Sequence, residues 1–301
     1  MNNGKNVLIT GGAGFIGSHI VDLLIENGYG VVIVDNLSSG SEANLNKGAK
    51  FYNLDINSEK LEEIFAQNKI DYVFHLAAQP SVSASIKNPT QDATENILGS
   101  INVLKFAKKY SVKKFITAST AAVYGIPKYL PVDEAHSTDC LSFYGVSKLT
   151  MEKYIELFGV DYIIFRLANV YGPRQNAHGE AGVVAIFADK MKNNETIVID
   201  GDGEQTRDFV YVGDIAKVFL QAIESEVKNE IINVSTNTSI SINKLFETMS
   251  EKYNYTKAPQ YGEERQGDIK HSVLDNTKCL KLFGFVPQTP SEEGLRELAA
   301  V

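Results

Sequence analysis

The chain has 301 residues, of which 44% are hydrophobic, and its formal net charge is −8. This apolar fraction is ordinary for a globular protein and too high for a disordered one, and the acidic balance argues against nonspecific nucleic-acid binding. The two cysteines, Cys140 and Cys279, and the five scattered histidines have no metal-type spacing, so we predict no metal site. No apolar run approaches the roughly 20 residues of a membrane span, and no signal peptide precedes the first predicted strand. We therefore expect a soluble cytoplasmic protein.

The first predicted element is a buried strand, residues 7–9, which runs into the glycine-rich stretch TGGAGFIG. Gly11, Gly14 and Gly17 follow the spacing G-x-x-G-x-x-G, and a helix is predicted to begin at Phe15. Such a strand–turn–helix unit presents outward-pointing backbone amides, and the missing side chains let phosphate oxygens come close. The stretch therefore indicates a dinucleotide pyrophosphate site, although glycines alone also mark ordinary turns.

The second predicted strand, residues 30–34, ends at Asp35. This places a carboxylate roughly 20 residues beyond the glycines, where it can accept hydrogen bonds from an adenosine ribose. A carboxylate also repels a 2′-phosphate, and no arginine or lysine occurs between Val31 and Ser41 to bind one. We therefore predict NAD rather than NADP as the cofactor.

Strand-like and helix-like runs alternate through the first half of the chain, with further strands predicted at residues 50–53, 72–76, 114–117 and 162–165. This alternation predicts an α/β fold, a doubly wound parallel Rossmann-like sheet with a smaller C-terminal substrate-binding α/β region. We assign residues 1–166, together with about 214–235, to an NAD-binding Rossmann domain. The second domain would comprise residues from about 167 to 213 and from 236 to 301.

Two segments carry candidate catalytic groups. Ser119 and Thr120 follow a predicted strand, at the end where ligands bind in a doubly wound sheet. Tyr144 and Lys148 form a Tyr-x-x-x-Lys motif on a predicted helix, where residues four apart share a face. An ammonium beside a phenol is expected to lower the pKa of Tyr144 toward the working pH, as a general base for a sugar hydroxyl requires. Each segment alone also fits a structural role, as strand-capping hydroxyls or as a Tyr–Lys pair on a solvated helix.

The motifs TGGAGFIGSH, LAAQ, STAAVYG, YGVSK and RLANVYGPRQ together resemble the extended short-chain dehydrogenase/reductase family, and within it the NAD-dependent epimerase/dehydratase group. The similarity spans residues 5 to about 290. Within that group the chain is most similar to the UDP-hexose 4-epimerases. The resemblance implies reversible C4 epimerisation of UDP-glucose and UDP-galactose, through a 4-keto intermediate and with tightly bound NAD.

The resemblance also implies which residues hold the cofactor and which act on the substrate. The catalytic group would be Thr120, Tyr144 and Lys148, with Lys148 also bonding the nicotinamide ribose. Besides Tyr144 and Lys148, the cofactor would contact Gly11, Gly14, Phe15, Ile16, Gly17, Asp35, Asn36, Ser38, Ser39, Gly40, Asp55, Ile56, Leu76, Ala77, Ala78, Gln79, Asn96, Ser119 and Ala168.

Two arginines in glycine-rich segments of this acidic chain, Arg207 and Arg265, fit a clamp for a diphosphate, because a guanidinium binds phosphate oxygens bidentately. Two solvated surface arginines would look the same. By resemblance, the second domain binds the nucleotide sugar: both arginines hold the UDP phosphates and Asp268 contacts the uridine ribose. The other substrate contacts implied are Thr120, Asn169, Val198, Ile199, Asp200 and Ser272.

The residues after Thr120 separate subclasses of the family. Sugar-nucleotide dehydratases typically carry Asp-Glu there, whereas this chain has Ala121 and Ala122, which cannot shuttle a proton for elimination. A small residue at Ser272 predicts room for a 2-acetamido group, and thus UDP-GlcNAc and UDP-GalNAc as further substrates. We treat Asp133 and Glu134 as ordinary exposed acids.

Two other classes of function stay open. One is a UDP-uronate epimerase or another NAD-dependent sugar-nucleotide oxidoreductase. The other is a dinucleotide-sensing regulator, against which the intact Thr120, Tyr144 and Lys148 argue. The resemblance further implies a homodimer formed through helices near residues 92–110 and 144–158.

Overall fold

A computed structural model describes residues 4–176, 182–264, 269–289 and 294–295. The predicted contacts Arg265 and Asp268 lie outside these residues. The strands are Asn6–Thr10 (β1), Gly30–Asp35 (β2), Lys50–Asn53 (β3), Tyr72–His75 (β4), Lys114–Thr120 (β5), Tyr162–Leu167 (β6), Asn169–Tyr171 (β7), Val198–Asp200 (β8), Thr206–Arg207 (β9), Phe209–Tyr211 (β10), Glu230–Val234 (β11), Ile240–Ser241 (β12) and Gln260–Gly262 (β13). The α-helices are Phe15–Glu26 (α1), Leu61–Asn68 (α2), Val82–Lys87 (α3), Pro89–Ala93 (α4), Gly99–Lys109 (α5), Phe143–Phe158 (α6), Val183–Lys192 (α7), Val212–Glu224 (α8), Ile242–Tyr253 (α9) and Thr277–Phe283 (α10), and a π-helical turn, Thr94–Leu98, joins α4 to α5.

Seven strands form one parallel sheet in the order β11-β6-β5-β4-β1-β2-β3, which confirms the doubly wound α/β prediction. The strand order reverses at β1, where Leu8 lies between Val32 of β2 and Val73 of β4. In such a sheet ligands bind in the crevice outside the carboxyl ends of the strands at this reversal. The fold therefore places a crevice beside the glycine-rich turn that follows β1.

Helices cover both faces of the sheet, and the strands are buried on both sides. Val7 and Ile9 of β1 pack in the core cluster that includes residues of α1 and α8, whereas Leu8 packs in the cluster with residues of α2, α5 and α6. Alternate residues of a strand point to opposite faces, so a parallel strand covered on both sides reads as a continuous apolar run. This is why the strands could be identified from sequence.

The region beyond β6 is built differently. Its short strands pair in three two-stranded sheets, β10 with β7, β12 with β9 and β13 with β8. A third core cluster, with Phe187, Phe246 and Met249, packs under them. The chain returns once to the main sheet, through α8 and the edge strand β11, which pairs with β6. The division into two domains stays a prediction.

Three further properties concern the described residues alone. None of their helices is long and apolar enough to cross a membrane. Both cysteines are free thiols. No group of three or more histidine, cysteine or acidic side chains among these residues is arranged to hold a metal ion.

Candidate functional site

The glycine-rich turn packs backbone against backbone. Gly11 has φ +73°, and a Cβ there would lie 2.6 Å from Ala77 N. A Cβ on Gly17 would lie 2.1 Å from Gly11 O. Helix α1 begins at Phe15 without a side-chain cap on its first amides. The turn therefore offers uncapped amides at a helix N-terminus and a surface that only glycine leaves open, which fits a diphosphate.

Asp35 ends β2 beside this turn and is buried. Its Oδ2 accepts a hydrogen bond from Ala13 N at 3.0 Å and its Oδ1 accepts one from Leu37 N at 2.8 Å. Each carboxylate oxygen has a second acceptor position, so both can still receive a ribose hydroxyl. The residues at this end of the site therefore fit the adenosine half of a dinucleotide.

Next to Asp35, Asn36 donates through Nδ2 to Asp55 Oδ2 at 2.8 Å. Burial works to raise the pKa of Asp55, but hydrogen bonds from the Asn57 backbone and from the Asn36 and Asn57 side chains outweigh it, and the pKa is lowered. Asn36 and Asp55 together form a negatively charged wall of the cleft. Such a wall favours the hydroxyls of an adenosine ribose over a 2′-phosphate.

A single cleft of about 1970 Å³ runs from the glycine-rich turn, past the ends of β5 and α6, to β8 and β9. The predicted residues that line it are Gly11, Gly14, Phe15, Ile16, Gly17, Asp35, Asn36, Ser38, Ser39, Gly40, Asp55, Ile56, Leu76, Ala77, Ala78, Ser119, Thr120, Tyr144, Lys148, Ala168, Asn169, Val198, Ile199, Asp200, Arg207 and Ser272. The structure thus brings the predicted cofactor, catalytic and substrate residues to one continuous space.

Gln79 and Asn96 are the two described exceptions, since neither lines the cleft. Asn96 is buried; its Oδ1 accepts from Gln79 N at 2.9 Å, and its Nδ2 donates to Ser147 Oγ of α6 at 3.0 Å. Both residues therefore hold the segment after β4 against α6, in a supporting position behind the cleft wall.

Thr120 ends β5, while Tyr144 and Lys148 lie on the first turns of α6. Ser142 caps this helix, its Oγ accepting from Gly145 N at 3.1 Å. A Cβ on Gly145 would lie 2.8 Å from Ala122 O, so glycine lets the helix approach the turn after Thr120. The Thr120 side chain lies close enough to Tyr144 to lower the pKa of the phenol. The three candidate catalytic side chains are thereby brought together.

The expected lowering of the Tyr144 pKa is wrong for this structure. Burial raises the pKa of Tyr144 to about 12; the hydrogen bond with Thr120 opposes the rise and the charge of Asp92 adds to it. Burial also lowers the pKa of Lys148 to about 8, against the charges of Glu152 and Asp92. The charged forms of the two groups, phenolate and ammonium, both lose hydration on burial, and that loss decides both directions.

A buried ionic network behind the catalytic helix was missed by the sequence analysis. Arg166 of β6 donates to Glu152 of α6 through Nε at 3.1 Å and through Nη2 at 2.6 Å. Ser119 Oγ donates to Glu152 Oε1 at 2.5 Å, and the guanidinium lies 4.8 Å from the centre of the Tyr124 ring. The network fixes α6 against the strand end that carries Thr120. The spacing of Glu152, four residues after Lys148 on the same helix face, was the available indication.

Glu134 and Asp133 are also not the ordinary exposed acids that we expected. Both are half-buried: Glu134 Oε1 accepts from Asn233 N at 2.7 Å, and Asp133 Oδ1 accepts from Tyr129 Oη at 2.7 Å. Their spacing in sequence gives no sign of the Glu134 contact, because it depends on how the loop folds over β11.

On the substrate side, Arg207 lies in β9, and its Nη1 donates to Thr206 O at 2.8 Å. Ser272 N donates to the same carbonyl at 3.2 Å, which holds Ser272 next to the arginine's strand. Arg174 and Gln175, from the motif RLANVYGPRQ, also line the cleft, although the sequence analysis gave them no role. Arg174 forms an ion pair with Asp22 of α1 at 2.8 Å.

Comparison with known proteins agrees with this geometry. The sequence pattern of the NAD dependent epimerase/dehydratase family matches residues 7–235. A putative UDP-glucose 4-epimerase of Methanocaldococcus jannaschii is 46% identical over 297 residues, which cover 97% of this chain and 96% of the relative.

Two solved structures are similar over their whole length. The UDP-glucose 4-epimerase of Thermotoga maritima with UDP-glucose is 47% identical, with a TM-score of 0.96 and coverage of 98% of this chain and 97% of that one. The UDP-N-acetylglucosamine 4-epimerase of Methanobrevibacter ruminantium, in complex with UDP-N-acetylmuramic acid, is 40% identical, with a TM-score of 0.94 and coverage of 100% and 98%. From the sequence pattern, the identity and the fold together, this chain belongs to the NAD-dependent epimerase/dehydratase family, whose cofactor is NAD.

Proposed function

We propose that the protein interconverts UDP-glucose and UDP-galactose by reversible epimerisation at C4, as an enzyme of galactose metabolism. One observation carries the proposal: a single cleft joins the glycine-rich turn, the group formed by Thr120, Tyr144 and Lys148, and Arg207. A dinucleotide and a nucleotide sugar can therefore meet at the phenol of Tyr144. The Thermotoga maritima epimerase, bound to UDP-glucose, shares this fold at 47% identity.

The chain's own residues would move the proton. Tyr144 Oη, as the phenolate, takes the proton of the C4 hydroxyl and later returns it, while Thr120, which lines the same cleft, orients that hydroxyl. NAD, when bound, supplies a reversible acceptor for the hydrogen and electron pair that leave C4. Burial raises the pKa of Tyr144 to about 12 in this structure, so forming the phenolate requires nearby positive charge. We assign that charge to the Lys148 ammonium, four residues further along α6.

The protein would bind the substrate mainly through the nucleotide part of the UDP-sugar. We assign Arg207 and Asn169 to the diphosphate and β8 to the uracil; the assignments of Arg265 to the diphosphate and Asp268 to the ribose concern residues outside the described ones. A guanidinium holds phosphate oxygens firmly, whereas nothing in this set is assigned to the hexose ring. A 4-keto sugar held by its nucleotide can therefore turn and expose its other face.

Ser272 supports a wider substrate range. It lies next to the strand of Arg207 and lines the cleft, and its side chain is small. We propose that UDP-GlcNAc and UDP-GalNAc are also converted, with the 2-acetamido group beside Ser272. A related structure at 40% identity is named a UDP-N-acetylglucosamine 4-epimerase. Substitution by a large side chain, Ser272→Tyr, is expected to abolish turnover of UDP-GlcNAc and to retain that of UDP-galactose.

The quaternary structure and location are part of the proposal. Exposed apolar side chains, among them Leu98, Val146 and Leu157 (the last 83% exposed), lie on the segments 92–110 and 144–158 that we assign to a homodimer interface. Sedimentation of the wild type against Leu157→Glu tests it, since a buried charge would shift the population to monomers.

We also propose that the protein is cytoplasmic. The two free cysteines fit the reducing cytoplasm.

The test of the function is to incubate the purified protein, without added NAD, with UDP-galactose, UDP-GlcNAc and UDP-glucuronate in separate reactions and to separate the products. UDP-glucose formed from UDP-galactose, with no NADH released, is the expected result. Conversion of UDP-glucuronate alone would replace the proposal with a uronate epimerase. Net release of NADH would replace it with another oxidoreductase.

A further inference from the structure

Lys148 is buried more deeply than an unpaired ammonium tolerates. Lys148 is only 5% exposed, and among the described residues its Nζ has one hydrogen-bond partner, Met151 Sδ at 3.8 Å. Removing an ammonium from water costs several kcal/mol unless an anion compensates it. The charges around Lys148 therefore decide whether it keeps its proton.

Two buried carboxylates act on Lys148, and one of them is already neutralised. Glu152 is completely buried and receives two hydrogen bonds from the Arg166 guanidinium, at 3.1 and 2.6 Å, and one from Ser119. A carboxylate in a bidentate pair with arginine contributes little net charge to its surroundings. Glu152 exerts the larger of the two charge effects on Lys148, but it shares its charge with Arg166 and also positions α6.

Within the described part of the chain, Asp92 of α4, unlike Glu152, accepts hydrogen bonds only from uncharged side chains. It is 1% exposed, and its Oδ1 accepts from two neutral amides, Gln79 Nε2 at 2.9 Å and Asn96 Nδ2 at 3.0 Å. Among the residues that the structure describes, no lysine or arginine lies within ion-pair distance of it, and none donates a hydrogen bond to Oδ2. Asp92 is therefore a buried carboxyl group that has no paired cation among the described residues.

The contacts of Asp92 lead to the catalytic helix. Helix α4 packs against α6, and the Asn96 Nδ2 that donates to Asp92 Oδ1 also donates to Ser147 Oγ at 3.0 Å. Ser147 immediately precedes Lys148 on α6. One side-chain amide thus ties the unpaired carboxylate to the residue next to the buried ammonium.

We propose that Asp92 is the positioning residue that keeps Lys148 protonated, as the uncompensated negative charge of the catalytic pocket. This proposal deepens the proposed function, because it rests on the roles assigned there to Tyr144 and Lys148. The arrangement explains why neutral amides surround Asp92: they hold the carboxylate in place without cancelling its charge. Gln79 and Asn96, which do not line the cleft, thereby gain a function.

The other charged or titratable groups facing Lys148 do not replace Asp92. His75 of β4 is buried between Thr10 Oγ1 and Ser100 Oγ, each at 2.8 Å, and burial lowers its pKa to about 3, so it is neutral. The Tyr144 phenolate forms only when Lys148 is already an ammonium, so it is not the group that keeps Lys148 protonated. The charge of Asp92 raises the pKa of Tyr144 as well. Removal of the Asp92 charge is therefore expected to lower the pKa of both members of the pair.

The first test measures the coupling of Asp92 to Lys148 without catalysis. Asp92→Asn keeps the shape and an acceptor for Gln79 and Asn96, and its effect on the urea unfolding midpoint is compared in the wild type and in Lys148→Met. We expect a clear loss of stability in the wild type, and less than half of that loss, or a gain, in Lys148→Met. An equal effect in both backgrounds would overturn the proposal.

The second test uses the pH dependence of kcat. It does not need the Lys148→Met variants, so it can be carried out even if one of them fails to fold. Asp92→Asn is expected to move both limbs of the profile to lower pH by roughly 1 unit, because the pKa values of Tyr144 and Lys148 both fall. Asp92→Glu, which keeps the charge, should leave the limbs in place, as should the exposed control Glu59→Gln. A profile that stays in place in Asp92→Asn contradicts the proposal. Lack of epimerase activity in the wild type would instead refute the proposed function. The first test would still give a result, because it measures unfolding and not activity.

Discussion

The two sides of the cleft differ in how extensively their strands are paired and buried. The side of β1, β4, β5 and α6 rests on a seven-stranded sheet buried on both faces, and its site residues are fixed by buried hydrogen bonds and an ion pair. The side of β8 and β9 rests on two-stranded sheets with two or three paired residues each. The proposed catalytic residues thus lie on the extensively paired side, which we call the rigid side. The proposed nucleotide-binding residues lie on the side of β8 and β9, which we call the lighter side.

This difference suits an enzyme that needs fixed distances at one place and a turning substrate at another. A proton transfer requires the phenol and its partners within hydrogen-bond distance, which rigid elements maintain. A nucleotide clamp tolerates more movement, because charged hydrogen bonds adapt. Variants on the two sides should therefore fail in different ways.

The largest effect is expected on the rigid side, from Tyr144→Phe. Loss of the phenolic hydroxyl removes the proposed acid–base group, so kcat should fall by about 10²–10⁴-fold. The bound NAD, measured by absorbance after denaturation, should be retained because the glycine-rich turn is unchanged. Unaltered turnover would refute the assignment of Tyr144.

The next effect tests the support of the catalytic helix. Glu152→Gln leaves the Arg166 charge buried without its partner, which costs about 3–5 kcal/mol of the free energy of unfolding. Glu156→Gln on the same helix breaks only the exposed pair with Lys153, whose Nζ lies 2.9 Å from Glu156, and should cost at most about 0.5 kcal/mol. Urea unfolding measures both; similar losses would mean that the buried network does not hold α6.

A smaller effect is expected on the lighter side, from Arg207→Met. Loss of charged hydrogen bonds to the diphosphate should weaken UDP-sugar binding by about 1.5–3 kcal/mol, which appears as a raised KM. Stability and NAD content should change little, in contrast to Glu152→Gln. A drop in kcat with KM unchanged would place Arg207 on the catalytic side and remove the distinction.

The last effect concerns pH and His75. Its pKa lies at about 3 in the folded protein against 6.5 for an ordinary histidine, so the unfolded chain binds the proton first as the pH falls. Stability is therefore lost between these two values as pH decreases, by up to about 1.4 kcal/mol per pH unit from this residue. Unfolding midpoints of the wild type and His75→Gln between pH 4 and 7 should diverge, with the flatter dependence in the variant. Parallel curves would show that His75 titrates normally.

The sequence predicted the strand–turn–helix at Gly11 and the parallel sheet, because local spacing and the rules of doubly wound sheets determine them. The meeting of Thr120 with Tyr144 and Lys148 was implied by the resemblance to the family. The sequence did not predict the ion pair of Glu152 with Arg166, since that contact joins a helix to a strand through packing. The raised pKa of Tyr144 was missed for the same reason, because the burial that raises it depends on how the chain folds around the residue.

Inversion at C4 by removal and return of the same hydrogen is the central claim, and a label at that position tests it most directly. UDP-galactose carrying deuterium at C4 is incubated with the purified protein in ordinary water, and the UDP-glucose formed is examined by mass spectrometry. We predict that the deuterium stays at C4 in the product. Loss of the label to solvent would show that C4 is inverted by another route, and would contradict the account.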